Sequence, residues 1–180
     1  MTELVFRDMN PIDTSTASST VAGHLTPTHS MATDDLLTDN RYPTPKETSP
    51  WPGNTYIIRH PVSGRQITLV RGELVLERHT GDQGGYHWIC VEKDGWLGFC
   101  DPVHSTYMGM DHGGGPGYIS KVKHHKSCEF FCTRRHPNGG YIILTQSKDL
   151  QKLRKMGTEP DGHKLVQTDG EGTAWEFVKV

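Results

Sequence analysis

Asp101 and His104 form the clearest candidate for an acid–base pair in this sequence. The Asp-Pro dipeptide at position 101 predicts a turn that holds His104 at the edge of a loop, where the pair could transfer protons to and from a ligand. There is no nucleophile elbow, no spaced carboxylate pair of a known catalytic type and no dinucleotide-binding fingerprint. The pair therefore allows a cofactor-independent enzyme, of isomerase or cyclase type, that acts on a hydrophobic small molecule.

The cysteines and histidines contain suitable atoms for zinc, but their spacing is poor. In a strand, Cys128 and Cys132 would lie on one face about 13 Å apart, too far apart to share one tetrahedral ion. Cys90 and Cys132 also fall at repeat positions where hydrophobic residues stand, so we interpret both as core residues. Met108 and Met110 receive the same interpretation. We therefore predict no metal site and no cofactor.

A basic segment lies inside an acidic chain. The chain has a formal net charge of −2, yet residues 121–155 contain nine lysines and arginines and two acidic residues. Such a surface suits an anionic small molecule, a carbohydrate or an acidic protein, and a solvated surface without a ligand is the alternative. Basic and aromatic residues do not interleave there, which argues against sequence-specific nucleic-acid recognition. The candidate ligand-binding residues are Lys121, Lys123, His124, His125, Lys126, Arg134 and Arg135, and we expect Lys152, Arg154 and Lys155 to extend the same cationic face.

The elements that position these residues repeat along the chain. Short apolar runs separated by Gly, Asn, Asp and Pro are typical of strands and turns, and similar runs recur at intervals of roughly 40 residues. Each repeat opens with a strand (56–59, 96–99 and 141–144) and closes with another (88–91, 129–132 and 175–178). Two more strands lie between them in each repeat, at 66–70 and 74–77, 107–110 and 118–122, and 150–156 and 164–167.

Three four-strand repeats predict an all-β fold, a twelve-strand β-trefoil over residues 54–180. Six strands would close a barrel and six would form hairpins at one end, which removes exposed sheet edges. We expect the common core to contain Trp88, Trp175, Phe131, Phe177, Ile57, Ile142, Leu97 and Phe99.

Residues 1–53 are predicted to be a disordered tail. The segment from Pro11 to Pro50 is dominated by Ser, Thr, Pro and Asp, and such a composition buries too little surface to offset the entropy of ordering. No run reaches the length of a membrane span, and the first ten residues lack the apolar core of a signal peptide. Together with four cysteines interpreted as thiols, this predicts a cytoplasmic protein.

Two motifs and one closing strand are distinctive: Trp88-x-Cys90-x-Glu92-x-x-Gly95-Trp96-Leu97-Gly98-Phe99, Arg135-His136-Pro137-x-Gly139-Gly140-Tyr141 and Trp175-Glu176-Phe177-Val178. Together they resemble the fascin-like β-trefoil domains of fungal proteins. The resemblance covers residues 54–180 and implies the fold more specifically than the function, because related trefoils include actin-bundling proteins, lectins, growth factors and protease inhibitors. Fascins use several trefoils in tandem, whereas this chain has one. We predict a binding module for an anionic or sugar-like ligand or an acidic protein, with the enzyme as the alternative.

Overall fold

Twelve β-strands form the fold, as the repeats predict. The computed structural model describes residues 48–78, 85–111, 113, 115–147 and 152–180; most of the predicted tail lies outside these ranges. The strands are β1 (Thr55–Arg59), β2 (Gln66–Val70), β3 (Glu73–Glu77), β4 (His87–Lys93), β5 (Trp96–Cys100), β6 (Tyr107–Met110), β7 (Tyr118–Val122), β8 (Phe131–Arg135), β9 (Tyr141–Gln146), β10 (Leu153–Thr158), β11 (Leu165–Thr168) and β12 (Ala174–Lys179).

Six of these strands close a barrel. The antiparallel pairs β1–β4, β4–β5, β5–β8, β8–β9, β9–β12 and β12–β1 return to the starting strand, so the ring has no free edge. Across the closing pair, Arg59 Nη2 lies 2.6 Å from Glu176 Oε2. The other six strands form the hairpins β2–β3, β6–β7 and β10–β11. Bridges such as Val75 with Lys164 and Gly117 with Val166 join the hairpins to one another. This is the β-trefoil architecture.

The barrel core is aromatic and centres on Phe177. Its ring lies 5.8 Å from that of Tyr56, 5.7 Å from that of Phe99 and 5.9 Å from that of Tyr141. Phe131 packs on Phe99 of the same repeat, with ring centroids 5.6 Å apart. The predicted core residues Trp88, Trp175, Phe131, Phe177 and Phe99 are all fully buried, and Leu97 packs against them.

Two predicted core positions, Ile57 and Cys132, are wrong. β1 turns Tyr56 and Ile58 inward, so Ile57 is only half-buried. In β9, Ile143 belongs to the central core cluster, whereas its neighbour Ile142 is buried outside that cluster. Cys132 is also half-buried and outside the core, whereas Cys90, Met108 and Met110 belong to it. Because side chains alternate between the faces of a strand, an error of one residue moves a position to the other face.

Two predicted strands begin later than expected. The strand predicted at 129–132 starts at Phe131, because Ser127–Glu129 forms a 3-10 turn in which the Glu129 side chain accepts a hydrogen bond from the Lys126 amide. The strand predicted at 150–156 is β10, Leu153–Thr158, and residues 148–151 lie outside the described ranges. Within those ranges no helix is long and apolar enough to cross a membrane.

The loops that leave the opening strands of the first two repeats have the same conformation. In residues 60–65 the amide of His60 donates to the carbonyl of Arg65, and in residues 101–106 the amide of Asp101 donates to that of Thr106. A residue with positive φ precedes the loop end in both, Gly64 at 67° and Ser105 at 55°. Arg65 and Thr106 therefore occupy equivalent positions in the two repeats.

Candidate functional site

A cavity of 180 Å³ lies between the first and second repeats. One side of this inter-repeat cavity is the β2–β3 turn, which contributes Arg71 and Gly72, and another is the loop of residues 101–106. Arg71 and Gly72 both have positive φ, which is typical of the tight two-residue turn that joins twisted antiparallel strands. The lining residues are Leu69, Arg71, Gly72, His104, Thr106 and Ser120.

The predicted acid–base pair forms at the edge of this cavity. Asp101 Oδ2 accepts two hydrogen bonds from His104, one from the backbone amide at 2.7 Å and one from Nδ1 at 2.8 Å. The Asp101 side chain is 0% exposed, whereas the His104 side chain is 65% exposed. A carboxylate that binds Nδ1–H leaves Nε2 of the neutral imidazole free to accept a hydrogen bond. Asp101 thus fixes both the loop and the orientation of the ring.

The second oxygen of Asp101 has no partner in the described part of the chain. Asp101 Oδ1 is buried and accepts no hydrogen bond. Gly85 approaches it so closely that an added Cβ would lie 3.1 Å from this oxygen and 3.1 Å from Leu69 Cβ. A buried acceptor without a donor is costly. Asp101 Oδ1 lies beside Gly85, which itself approaches Leu69 of the cavity lining.

Two cationic side chains stand at the rim of the cavity. Arg71 lines it and is exposed. The stem of Lys121 crosses Gly72, where an added Cβ would lie 2.8 Å from Lys121 Cε. The floor is polar and uncharged, because the buried hydroxyls of Thr106 and Ser120 are hydrogen-bonded to each other at 2.8 Å. The cavity therefore combines an apolar wall at Leu69, a hydroxyl floor and a cationic rim.

The equivalent place between the third and first repeats is occupied by a side chain. There Arg65 donates from Nη1 to the carbonyl of Gly162 at 3.2 Å, and the same nitrogen lies 3.4 Å from His163 Nδ1. Thr106, which replaces Arg65 in the second repeat, is too short to reach the facing turn. The difference between these two residues explains why the space between the first and second repeats is open.

The predicted basic residues lie on several elements of the fold. Lys121 ends near Gly72, whereas Lys123, His124 and Lys126 are exposed in the segment between β7 and the 3-10 turn. Arg134 and Arg135 lie on β8, where Arg135 stands over the ring of Tyr141, 5.9 Å from its centroid. Of these residues, Lys121 contacts Gly72 of the cavity lining.

The three cations of the third repeat are held by one loop. Lys152 Nζ and Arg154 Nη2 lie 3.1 Å and 3.3 Å from the carboxylate of Asp169. Lys155 Nζ donates to the carbonyl of Gly170 at 2.7 Å. Each of the three charges thus has a partner at residues 169–170, and a continuous cationic face with the basic segment stays a prediction.

His125 is a packing residue. Its ring stacks on Tyr107 with centroids 5.5 Å apart and meets Phe130 edge-on at 4.9 Å. Phe130 in turn stacks on Trp96 at 5.8 Å, so these rings form an aromatic row beside the basic segment that the sequence did not reveal. His125 Nε2 lies 3.2 Å from the carbonyl of Leu97. Placed among these groups, the imidazole is nearly inaccessible to a ligand.

The burial of His125 predicts a pH-dependent stability. Burial lowers the pKa of His125 below its usual 6.5, although contacts with Leu97 and Glu129 partly oppose the shift. The unfolded chain therefore binds more protons than the folded one below pH 6.5, so stability should fall as the pH drops from 6.5 through the folded pKa. Urea unfolding at a series of pH values measures this loss.

The control for the pH series is His125→Gln, which removes the titrating ring. Its stability should depend less steeply on pH than that of the wild type. A residual slope is expected from His60, whose pKa is lowered by burial and by Arg65. Equal slopes for the variant and the wild type would contradict the assignment to His125.

A second cleft, of 230 Å³, lies where the three hairpins meet. The carboxylates of Glu73, Asp111 and Glu159 line it together with Lys164. Asp111 Oδ1 accepts a hydrogen bond from the Gly113 amide. The cleft therefore has an acidic lining, unlike the inter-repeat cavity.

Most of the cavity lining was missed by the sequence analysis. Leu69, Arg71, Thr106 and Ser120 come from different repeats, and their contact requires the closed fold. One signal was present: the Pro-Val pair occurs at Pro61-Val62 and again two residues before Ser105. Alignment on that pair identifies Arg65 and Thr106 as counterparts of different size.

The comparisons with known proteins concern the fold. No family model and no curated protein sequence matches this chain. Similar solved structures include the designed threefold-symmetric protein ThreeFoil (13% identity, TM-score 0.58, covering 70% of this chain and 99% of that one). A ricin B-like lectin from Macrolepiota procera, solved with lactose, has 14% identity and a TM-score of 0.56 over 74% of this chain and 100% of its own. SeviL, solved with the asialo-GM1 saccharide, has 11% identity and a TM-score of 0.54 over 71% and 96%. At such identities the likeness shows the fold alone, and that fold is the β-trefoil.

Proposed function

We propose that this chain is a carbohydrate-binding module whose sugar site is the inter-repeat cavity. The observation that carries the proposal is the combination, in one cavity, of the hydroxyls of Thr106 and Ser120, the imidazole of His104 and the apolar Leu69. A sugar ring presents hydroxyls around its edge and C–H groups on its faces. Polar groups that fix orientation beside an apolar wall are the usual composition of a small-ligand site.

The fold neighbours support the same proposal. Two similar structures, the Macrolepiota procera lectin and SeviL, were solved with saccharides. Fold by itself does not determine function, so the proposal depends on the cavity and takes the neighbours as support. The fascin-like resemblance, the cytoplasmic location and an acidic protein partner remain predictions.

A glycan array followed by an NMR titration tests the proposal. The wild-type protein should bind at least one class of immobilised glycan, and that glycan in solution should shift the amide resonances of Leu69, His104, Thr106 and Ser120. An array without binding would contradict the function. Binding with shifts confined to other residues would contradict the site and leave the function intact.

The enzyme hypothesis receives less support from the geometry. The oriented pair of Asp101 and His104 has the arrangement that general acid–base catalysis requires. Small-molecule sites usually have volumes of roughly 300 Å³ or more. The two cavities described here measure 180 Å³ and 230 Å³, and both have polar groups in their lining. The acid–base pair is better explained as a support for the cavity.

A further inference from the structure

We infer that the sugar recognised at the inter-repeat cavity carries an anionic group, a carboxylate or a sulfate ester. This inference rests on the proposed function and names the class of glycan. It is carried by the cationic rim, Arg71 and Lys121, which stands above a floor without charge.

In the described part of the chain, neither of the two rim cations has an acidic partner, whereas several cations elsewhere in the fold do. In the described ranges, Arg59 pairs with Glu176, and both Lys152 and Arg154 pair with Asp169. Neither Arg71 nor Lys121 takes part in an ion pair there. Charge-assisted hydrogen bonds to an anion are the strong ones available to such groups, and Arg71 already borders the cavity.

The carboxylate nearest to the cavity does not neutralise this rim. Asp101 is fully buried. Its Oδ2 accepts two hydrogen bonds from His104, one from the backbone amide and one from Nδ1. The exposed face of the pair is the His104 ring. Glu73 follows Gly72 in the chain but lines the acidic cleft of the three hairpins. Among the described residues, an anion at the rim therefore meets the exposed Arg71, Lys121 and His104, whereas the Asp101 side chain is buried.

The depth of the cavity indicates which part of the ligand would contact the floor and which part would contact the rim. Thr106 and Ser120 lie at the buried floor, whereas Arg71 and the end of Lys121 are exposed. A sugar ring that enters the cavity would place its hydroxyls at the floor, and a substituent that projects outward would reach the rim. The anionic group should therefore be a substituent at the outer edge of the sugar.

The test compares matched glycans and matched variants. An array should present each glycan in neutral, sulfated and carboxylated forms, and affinities should be measured by calorimetry, with inorganic sulfate and phosphate as separate titrants. The wild type should bind one acidic form roughly tenfold or more tightly than its neutral form, as expected for a hydrogen bond to a charged group. The preference should weaken as salt is added.

Arg71→Gln and Lys121→Gln should each weaken binding of the acidic glycan more than binding of the neutral form, so the affinity ratio between the two forms should fall. Lys179→Gln is the matched control, because it removes one exposed positive charge at the end of β12. This control should keep the full preference.

Each remaining outcome has a distinct meaning. Equal binding of acidic and neutral glycans overturns the inference and leaves the proposed function standing. Binding of inorganic sulfate or phosphate as tight as that of the acidic glycan overturns it as well, since the site would then recognise a free anion. Binding of no glycan at all contradicts the proposed function itself.

Discussion

Thr106→Arg should abolish carbohydrate binding while the β-trefoil remains folded. The arginine would extend into the inter-repeat cavity as Arg65 extends toward Gly162 between the third and first repeats. Because the fold already accommodates this side chain at the equivalent loop position, we expect a folded variant. Affinity should fall at least about 100-fold, which corresponds to ~2.8 kcal/mol. Calorimetry against the best glycan from the array measures the loss.

Three further variants separate obstruction from other effects. Thr106→Met extends into the cavity without a charge and should also weaken binding. Thr106→Ser keeps the hydroxyl that contacts Ser120 and should bind nearly as well as the wild type. Arg65→Thr changes the equivalent residue at the other interface and should leave binding at the cavity intact. Full affinity in a folded Thr106→Arg protein would refute the cavity as the sugar site.

The sequence predicted the architecture because the repeat is a local pattern. Each strand is a short apolar run, and each turn carries its own glycine or proline, so β2, β6 and β7 were predicted at the observed bounds. Which face of a strand points inward was harder to predict. Tyr56 and Ile58 face the core while Ile57 does not, and apolar residues at consecutive positions conceal that alternation.

The site was only partly predictable for a related reason. The Asp101–His104 contact lies within four residues, so turn chemistry alone indicated it. The contact of Lys121 with Gly72 joins two hairpins, and the opposition of Arg71 to Thr106 joins two repeats. The basic segment had a high charge density along the chain. Which of its members share a face depends on the strands that carry them, because successive side chains of a strand point to opposite faces of the sheet.

The three repeats differ at two equivalent core positions. Only the third repeat has a large aromatic residue at both of them. Trp88 and Trp175 are matched in the second repeat by Glu129, which is buried against Gly109. Phe131 and Phe177 are matched in the first repeat by Cys90. Burial raises the pKa of the Cys90 thiol to about 12, so it behaves as a small apolar group. The larger aromatic side chain of Phe177 must then fill space near the first repeat, where it contacts Tyr56.

Phe177→Ala should therefore destabilise the protein more than the equivalent change in the first repeat. Phe177 is 0% exposed and its ring meets three other aromatic rings, from β1, β5 and β9. Truncation of such a residue costs about 3–5 kcal/mol, a large share of the ~5–15 kcal/mol that stabilises a typical domain. Urea unfolding followed by the fluorescence of the buried Trp88 and Trp175 measures the change.

Cys90→Ala is the matched control for this prediction. It removes one sulfur atom from the equivalent position, so the expected cost is roughly 1 kcal/mol on the scale of one buried methylene group. If Phe177→Ala fails to fold, Phe177→Leu keeps part of the apolar volume and should still unfold at a lower urea concentration than Cys90→Ala. Equal midpoints for the two positions would show that the packing is shared evenly among the repeats, against the asymmetry described above.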